Sequence, residues 1–255
     1  MTAVVGTPGP IGSGLIAIVS GLGPLAGSDV LDKALAYAAD VYGAVEDVDY
    51  PDVVLFSHGI ESFDSTGSVD GDFVRALVQV VQEVELHHPT VLGVACNTAH
   101  LFLDELRKHT SAVVVNLIEE TAEAASAFDR QYLLLSSSTT RRTGLYHDAL
   151  RRRNVRFFDV SDADQLDVDD VVHAVMAHDL EDAGAQIDEL VSRLEAEPFD
   201  GIIAACTELP IAFDHADVAD AIPVIDSNRV LAYALVDRYF RVRRDNLVLA
   251  ATATD

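Results

Sequence analysis

Short apolar runs alternate with longer amphipathic stretches along nearly the whole chain, and nothing else in the sequence restricts its fold as tightly. Residues 15–20, 52–56, 91–95, 112–115, 132–135, 155–158, 201–205 and 223–225 read as strands. Between them, residues 28–42, 72–88, 98–108, 118–128, 142–152, 168–195, 208–213 and 228–240 carry helical spacing, the long stretch with a break at Gly184. In 72–88 the apolar positions are Phe73, Leu77, Val80, Val81 and Val84, one face of a helix that Pro89 stops. Strands separated by helices of this length form parallel sheets in βαβ units. Near-continuous apolar strands belong to sheets covered on both faces. The 255 residues allow two packed lobes. The expected class is α/β, with two similar lobes, each a mostly parallel sheet flanked by helices.

One device occurs twice. Val91-Leu-Gly-Val-Ala-Cys96-Asn97-Thr98 and Gly201-Ile-Ile-Ala-Ala-Cys206-Thr207-Glu208 each run from a buried strand to a cysteine and then to a polar residue that opens a helix. Ligands of open parallel sheets bind at the carboxyl ends of strands, so both thiols stand where chemistry is usually placed. A cysteine at a helix start feels the positive end of the macrodipole, which favours thiolate and lowers the pKa. The free N–H groups there, with the Thr98 and Thr207 hydroxyls and the Asn97 amide, suit a carboxylate. If the lobes face each other, one sulfur lies on each side of a bound amino acid's Cα. One thiolate and one thiol can then remove and return the α-proton on opposite faces, while fixed donors stabilise charge on the carboxylate.

Composition excludes several classes. Acidic residues number 42 against 17 basic ones, for a net charge of −25. Such a field repels nucleic acid and anionic membrane. An acid-rich chain whose two lysines are Lys33 and Lys108 resembles proteins of salt-loving organisms and is expected to fold better in molar salt. No apolar run approaches a membrane span. Residues 1–14 hold no basic residue, so they read as a tail and not a secretory signal, and the expected compartment is the cytoplasm. Gly21 to Ala26 fits a dinucleotide-binding fingerprint, but Pro24 lies inside it and Ser57-His58, not an acid, follows the second strand. Pyridoxal phosphate needs a Schiff-base lysine, and Lys33 and Lys108 both fall on helices, where a solvated face is expected. Two cysteines alone make neither a disulfide framework nor a usual zinc site. The acids from Asp162 to Asp170 read as a solvated loop and first helical turn, without the glycine turn of an EF-hand. Arg151-Arg152-Arg153 suits a helix C-terminus.

Cys96-Asn97-Thr98-Ala99-His100 and Cys206-Thr207-Glu208-Leu209 resemble the aspartate/glutamate racemase superfamily, most closely its aspartate racemase branch. Gly21-Leu22-Gly23-Pro24-Leu25-Ala26 is similar to that family's first glycine-rich loop. Leu117-Ile118-Glu119-Glu120-Thr121 resembles the start of its second half, Ser136 to Tyr146 a later loop and helix, and Pro223-Val224-Ile225-Asp226 its closing strand. The resemblance runs in order from about Leu15 to Phe240. It implies an active site in the cleft between a first lobe (15–116 plus 226–240) and a second (117–225), with tails at 1–14 and 241–255. It implies a homodimer that needs no cofactor and no metal and acts on an amino acid or other small carboxylate. Cys96 and Cys206 become the acid/base pair. Gly23, His58, Asn97, Thr98, Ser137, Thr139, Thr207 and Glu208 become substrate contacts. Glutamate racemases carry His after the second Cys-Thr, whereas this chain has Glu208.

The pattern departs from aspartate racemases at two places. The loop from Ser57 to Thr66 has no arginine to hold a side-chain carboxylate, although His58 could partly replace it. The family's lysine in the long helical region has no counterpart, and residues 178–182 are acidic instead. A second carboxylate on the substrate would therefore lack its partners and meet like charge. Hydantoin racemases, maleate isomerases and arylmalonate decarboxylases are relatives that also use one or two cysteines, and retention of both favours racemisation over decarboxylation. A carboxylate-binding relative without activity is the alternative from another class.

Overall fold

A computed structural model describes residues 14–60, 71–194 and 197–252. The strands are β1 (Ile16–Ser20), β2 (Val53–Ser57), β3 (Val91–Val94), β4 (Val113–Val114), β5 (Gln131–Leu135), β6 (Arg156–Asp159), β7 (Gly201–Ala204) and β8 (Val224–Asp226). They form two four-stranded sheets ordered β2-β1-β3-β4 and β6-β5-β7-β8. Every pairing is parallel. The two orders are the same permutation of sequence order, so the lobes repeat one topology. β3 and β7 are the equivalent third strands. In each sheet the order reverses beside them, which is where a crevice opens at the carboxyl ends.

The helices are α1 (Ala26–Tyr42), α2 (Gly71–Glu85), α3 (Leu103–Leu106), α4 (Leu117–Ser126), α5 (Ser138–Thr143), α6 (Leu145–Arg152), α7 (Asp162–Met176), α8 (Leu180–Arg193), α9 (Leu209–Phe213) and α10 (Ser227–Thr252). Successive strand residues point to opposite faces, so each sheet is packed on both sides. Ile16 and Ile18 join Val30 and Ala34 of α1 and Leu231 and Leu235 of α10. Ala17 and Val19 instead meet Phe73, Leu77 and Val81 of α2. In the second lobe Leu133 and Leu135 pack on α7 and α8, and Tyr132 and Leu134 on α4 and α6. Arg151 and Arg152 end α6, as expected of a basic helix terminus. Arg152 and Arg153 reach Glu119 of α4.

Several elements differ from the sequence reading. The stretch read as one helix over 142–152 is two, α5 and α6, divided at Gly144, whose left-handed backbone ends α5. α7 starts at Asp162, not Val168, because Ser161 caps it by accepting the Asp164 N–H at 3.2 Å. The break in the long helical stretch falls at Ala177–Asp179, where His178 takes φ 65, and Gly184 is buried inside α8. α10 continues past Phe240 to Thr252. The segment 98–108 is not one α-helix, since residues 98–102 and 107–109 are 3-10 turns around α3. The cause lies at its start. The His100 ring bonds the Cys96 carbonyl at 2.9 Å, the acceptor an α-helix would give to the His100 N–H, and that N–H turns to Asn97 instead. Among the described residues no helix is long and apolar enough to cross a membrane.

Candidate active site

Cys96 follows β3 and Cys206 follows β7, with 7% and 9% of their surfaces exposed. Backbone N–H groups of Thr98 and Ala99 point at the Cys96 sulfur, and the Glu208 N–H points at that of Cys206. The thiols are close enough for charge on Cys96 to act on Cys206. Burial nevertheless pushes Cys96 up to about 12, against the help of those N–H groups and with the Glu208 charge adding to it. Burial raises Cys206 as well, followed by the Glu208 charge and hydrogen bond. The expected lowering of both thiols is thus reversed. Two short turns contribute a few N–H dipoles, which do not offset removal from water.

Glu208 lies between the thiols and the first glycine-rich turn. Its Oε2 accepts from the Cys206 thiol and from the Thr207 hydroxyl, both at 3.1 Å. Its Oε1 is enclosed without a partner and packs on Gly23, where a Cβ would stand 1.7 Å away. Burial holds the Glu208 carboxyl above its usual range. The same turn passes the second-strand loop at Gly21, whose φ of 96 suits glycine and where a Cβ would meet the His58 carbonyl at 2.1 Å.

A buried polar seam joins the lobes. Thr98 and Thr140 meet hydroxyl to hydroxyl at 2.8 Å. The Tyr146 hydroxyl donates to Asn97 Oδ1 at 2.5 Å, and the Asn97 amide donates to Ser227 at 3.4 Å. Asn228 at the start of α10 donates to the Thr207 carbonyl at 2.8 Å and to Asp29 of α1 at 2.7 Å. Lys33 lies 2.7 Å from Asp29 and 2.8 Å from Asp226, with 13% of its side chain exposed. The solvated lysine expected from the helix is instead the centre of a buried ion cluster. Burial alone would lower Lys33, but the two carboxylates outweigh it and hold the ammonium above its usual value. Asp29 shares that lysine with Asp226, and burial leaves its carboxyl raised. An amine held charged in this way is poorly suited to a Schiff base. Among the described residues no group of three or more His, Cys, Asp or Glu is arranged to hold a metal ion.

The chain matches the sequence model of the Asp/Glu/Hydantoin racemase family over residues 19–235. It belongs to that family. It is 25% identical over 226 residues to the broad specificity amino-acid racemase RacX of Bacillus subtilis (strain 168), covering 88% of this chain and 98% of that one. Its fold is similar to the Picrophilus torridus aspartate racemase, with a TM-score of 0.76 and 27% identity over 89% of this chain and 94% of that one. It also matches a glutamate racemase from Francisella tularensis subsp. tularensis, in fold, with a TM-score of 0.64 and 15% identity over 91% and 82% of the two chains. Membership makes the chain a racemase-type isomerase of two α/β lobes.

Not all the residues singled out from the sequence of this family member fall together. Asn97, Thr98, Thr207, Glu208 and Gly23 surround the cysteines, with Gly23 against Glu208. His58 is exposed, its ring 6.3 Å from that of Phe56, and it shares none of the hydrogen bonds described among the other site residues. The rest of its loop, 61–66, lies outside the described residues. Ser137 caps α5 by accepting the Thr140 N–H, and Thr139 accepts from Arg142 at 3.3 Å. It is Thr140, one position on, that reaches Thr98. Thr140, Tyr146, Lys33, Asp29 and Asn228 were missed. Thr140, Tyr146 and Asp226 did lie in segments that resemble the family, and Asp29 and Lys33 have the i, i+4 spacing of a helical ion pair. Asn228 carries no local signal, because its partners Asp29 and Thr207 are remote in sequence.

Proposed function

We propose that this protein is an amino-acid racemase independent of cofactors, in which Cys96 and Cys206 work on opposite faces of the substrate Cα. The carrying observation is that two buried thiols end equivalent strands of two repeated lobes and lie within electrostatic reach of each other. As thiolate, one sulfur takes the α-proton. As thiol, the other delivers a proton from the far side. The Asn97 amide, the Thr98 and Thr207 hydroxyls and the N–H groups of the two turns are the donors for the substrate carboxylate, where the carbanion's charge develops. Thr98 and Thr207 each already bond a neighbour in the closed site, so binding exchanges those bonds for the substrate. The working unit is the first lobe, 15–116 with 226–240, closing on the second, 117–225, in a cytoplasmic homodimer.

An uncharged side chain suits this site best. The charge that bears on both sulfurs is a carboxylate, Glu208. Residues 57–66 contain no arginine or lysine. A second substrate carboxylate would meet like charge, at a cost that grows with burial. The test is a panel of L-amino acids in deuterated buffer, at low and molar salt, followed by proton NMR. Loss of the α-proton signal should be fastest for uncharged side chains and slow for aspartate. Absence of exchange in every amino acid would overturn the reading in favour of a carboxylate-binding relative.

A further inference from the structure

We infer that His100 is a positioning residue for Cys96: its ring takes the Cys96 carbonyl, which frees the Ala99 N–H to point at the sulfur and makes Cys96 the better thiolate of the pair. The inference rests on the reading of both sulfurs as proton-transfer groups and says which of them starts as the base. It comes from a difference between the two turns. After Cys206, the Leu209 N–H bonds the Cys206 carbonyl at 3.1 Å. The next residue there is Pro210, which has no N–H. After Cys96, the equivalent carbonyl is bonded by the His100 ring through Nδ1 at 2.9 Å. Ala99, the counterpart of Leu209, directs its N–H at the Cys96 sulfur, beside that of Thr98. At Cys206 the Glu208 N–H, the counterpart of Thr98, points at the sulfur, while that of Leu209 turns to the carbonyl.

The ring suits that task. His100 is buried, and burial holds it below its usual value, with the Arg107 charge adding to the lowering and the carbonyls of Cys96, Val115 and Asn97 opposing it. It is therefore neutral, and because Nδ1 faces a carbonyl, Nδ1 carries the hydrogen. Nε2 is left a bare lone pair, enclosed and without a partner. An unsatisfied buried polar atom has a cost that a leucine at this position would not have, so packing alone does not account for a histidine here.

N–H donors stabilise a charged sulfur more than a neutral one. Burial and the Glu208 carboxylate oppose charge on Cys96. Cys206 is equally enclosed, with Glu208 beside it as acceptor of its thiol hydrogen and with Cys96 and the Tyr146 phenol facing it. When the pair gives one proton to solvent, Cys96 gives it and Cys206 keeps its own. The Cys96 thiolate takes the α-proton of the enantiomer whose Cα–H faces the first lobe, and the C–H electron pair stays on the substrate. The Cys206 S–H bond breaks as its proton reaches the opposite face. Cys206 is left as thiolate and Cys96 as thiol, and proton exchange with solvent restores the start. Nothing is oxidised or reduced.

Labelling by iodoacetamide reads each thiolate without requiring turnover. Cys206→Ala leaves Cys96 to be labelled and Cys96→Ala leaves Cys206, and mass spectrometry gives the rates from neutral to alkaline pH. His100→Leu removes the ring donor, so the Ala99 N–H turns to the carbonyl as that of Leu209 does, and Cys96 labelling at a given pH should fall about tenfold. His100→Asn places an N–H where Nδ1 stood and should restore the rate. Neither change should alter the labelling of Cys206. An unchanged Cys96 rate in His100→Leu overturns the inference, and so does a loss that His100→Asn does not recover or that Cys206 shares. If His100→Leu does not fold, the two single-cysteine chains with His100 in place decide: Cys96 should label faster than Cys206, and an equal or slower rate overturns the inference. The expected labelling without α-proton exchange in any amino acid would sink the racemase reading and leave the role of His100 standing. Racemisation with a Cys96 rate indifferent to His100 would do the reverse.

Discussion

Thr98 of the first lobe and Thr140 of the second touch hydroxyl to hydroxyl at 2.8 Å, both nearly sealed from solvent. Ser137 extends the contact by donating to Thr140 at 3.2 Å. One bond therefore ties the turn that carries Cys96 to the helix start after β5, and the lobes are registered by it. Replacing either threonine with valine keeps the shape and removes the hydroxyl. Thr98→Val is expected to cost about 1 kcal/mol, read as a Tm lower by about 2–4 °C. It should also raise KM, since Thr98 is a proposed carboxylate donor. Thr140→Val should lower Tm with a smaller effect on KM.

Each cysteine is expected to be indispensable. Cys96→Ala and Cys206→Ala should each lower racemisation by at least about 10²–10⁴-fold, the usual contribution of a positioned acid or base. Chiral chromatography checks this. Because the equilibrium constant of racemisation is one, kcat/KM must fall equally in both directions, and any difference will lie in kcat and KM separately. Iodoacetamide should inactivate the protein and substrate should protect it. Dialysis against a chelator should leave the rate unchanged.

Lys33→Met would leave Asp29 and Asp226 facing each other without their cation. Breaking a buried pair from one side costs about 3–5 kcal/mol, which urea unfolding will read. The pH dependence has a definite sign. Lys33 is held above its ordinary 10.5, so its stabilisation is complete below about 10.5, the unfolded-state value, and is lost as pH rises through the raised folded value. The difference between the parent chain and Lys33→Met should therefore shrink above that range. Asn228 links this cluster to the Thr207 carbonyl, so kcat should fall in Lys33→Met even where the protein is fully folded.

Salt should stabilise the whole chain. At a net charge of −25 the folded surface repels itself, and the screening length drops from about 10 Å at 0.1 M to about 3 Å at 1 M. Melting curves by calorimetry should move upward in molar sodium chloride. A Tm indifferent to salt would contradict a surface adapted to salt.

Much of the architecture was legible locally. Apolar runs and helical spacing located the eight strands and most helices, because a sheet covered on both faces demands those patterns from contiguous residues. Boundaries slipped where one side chain redirected the backbone, as Ser161 does before α7 and the His100 ring does after Cys96. The long break moved from Gly184 to His178 because burial, not glycine content, keeps α8 intact.

The sequence by itself determined the two strand–cysteine–turn devices and their repeat, since each is built from neighbours along the chain. Only the tertiary structure decided what surrounds them. The rise of both thiols, the close fit of Glu208 on Gly23, the seam of Thr98 with Thr140, and the burial of Lys33 depend on which surfaces are removed from water and on partners far apart in sequence. Desolvation and charge act through space, so no local spacing could have carried them.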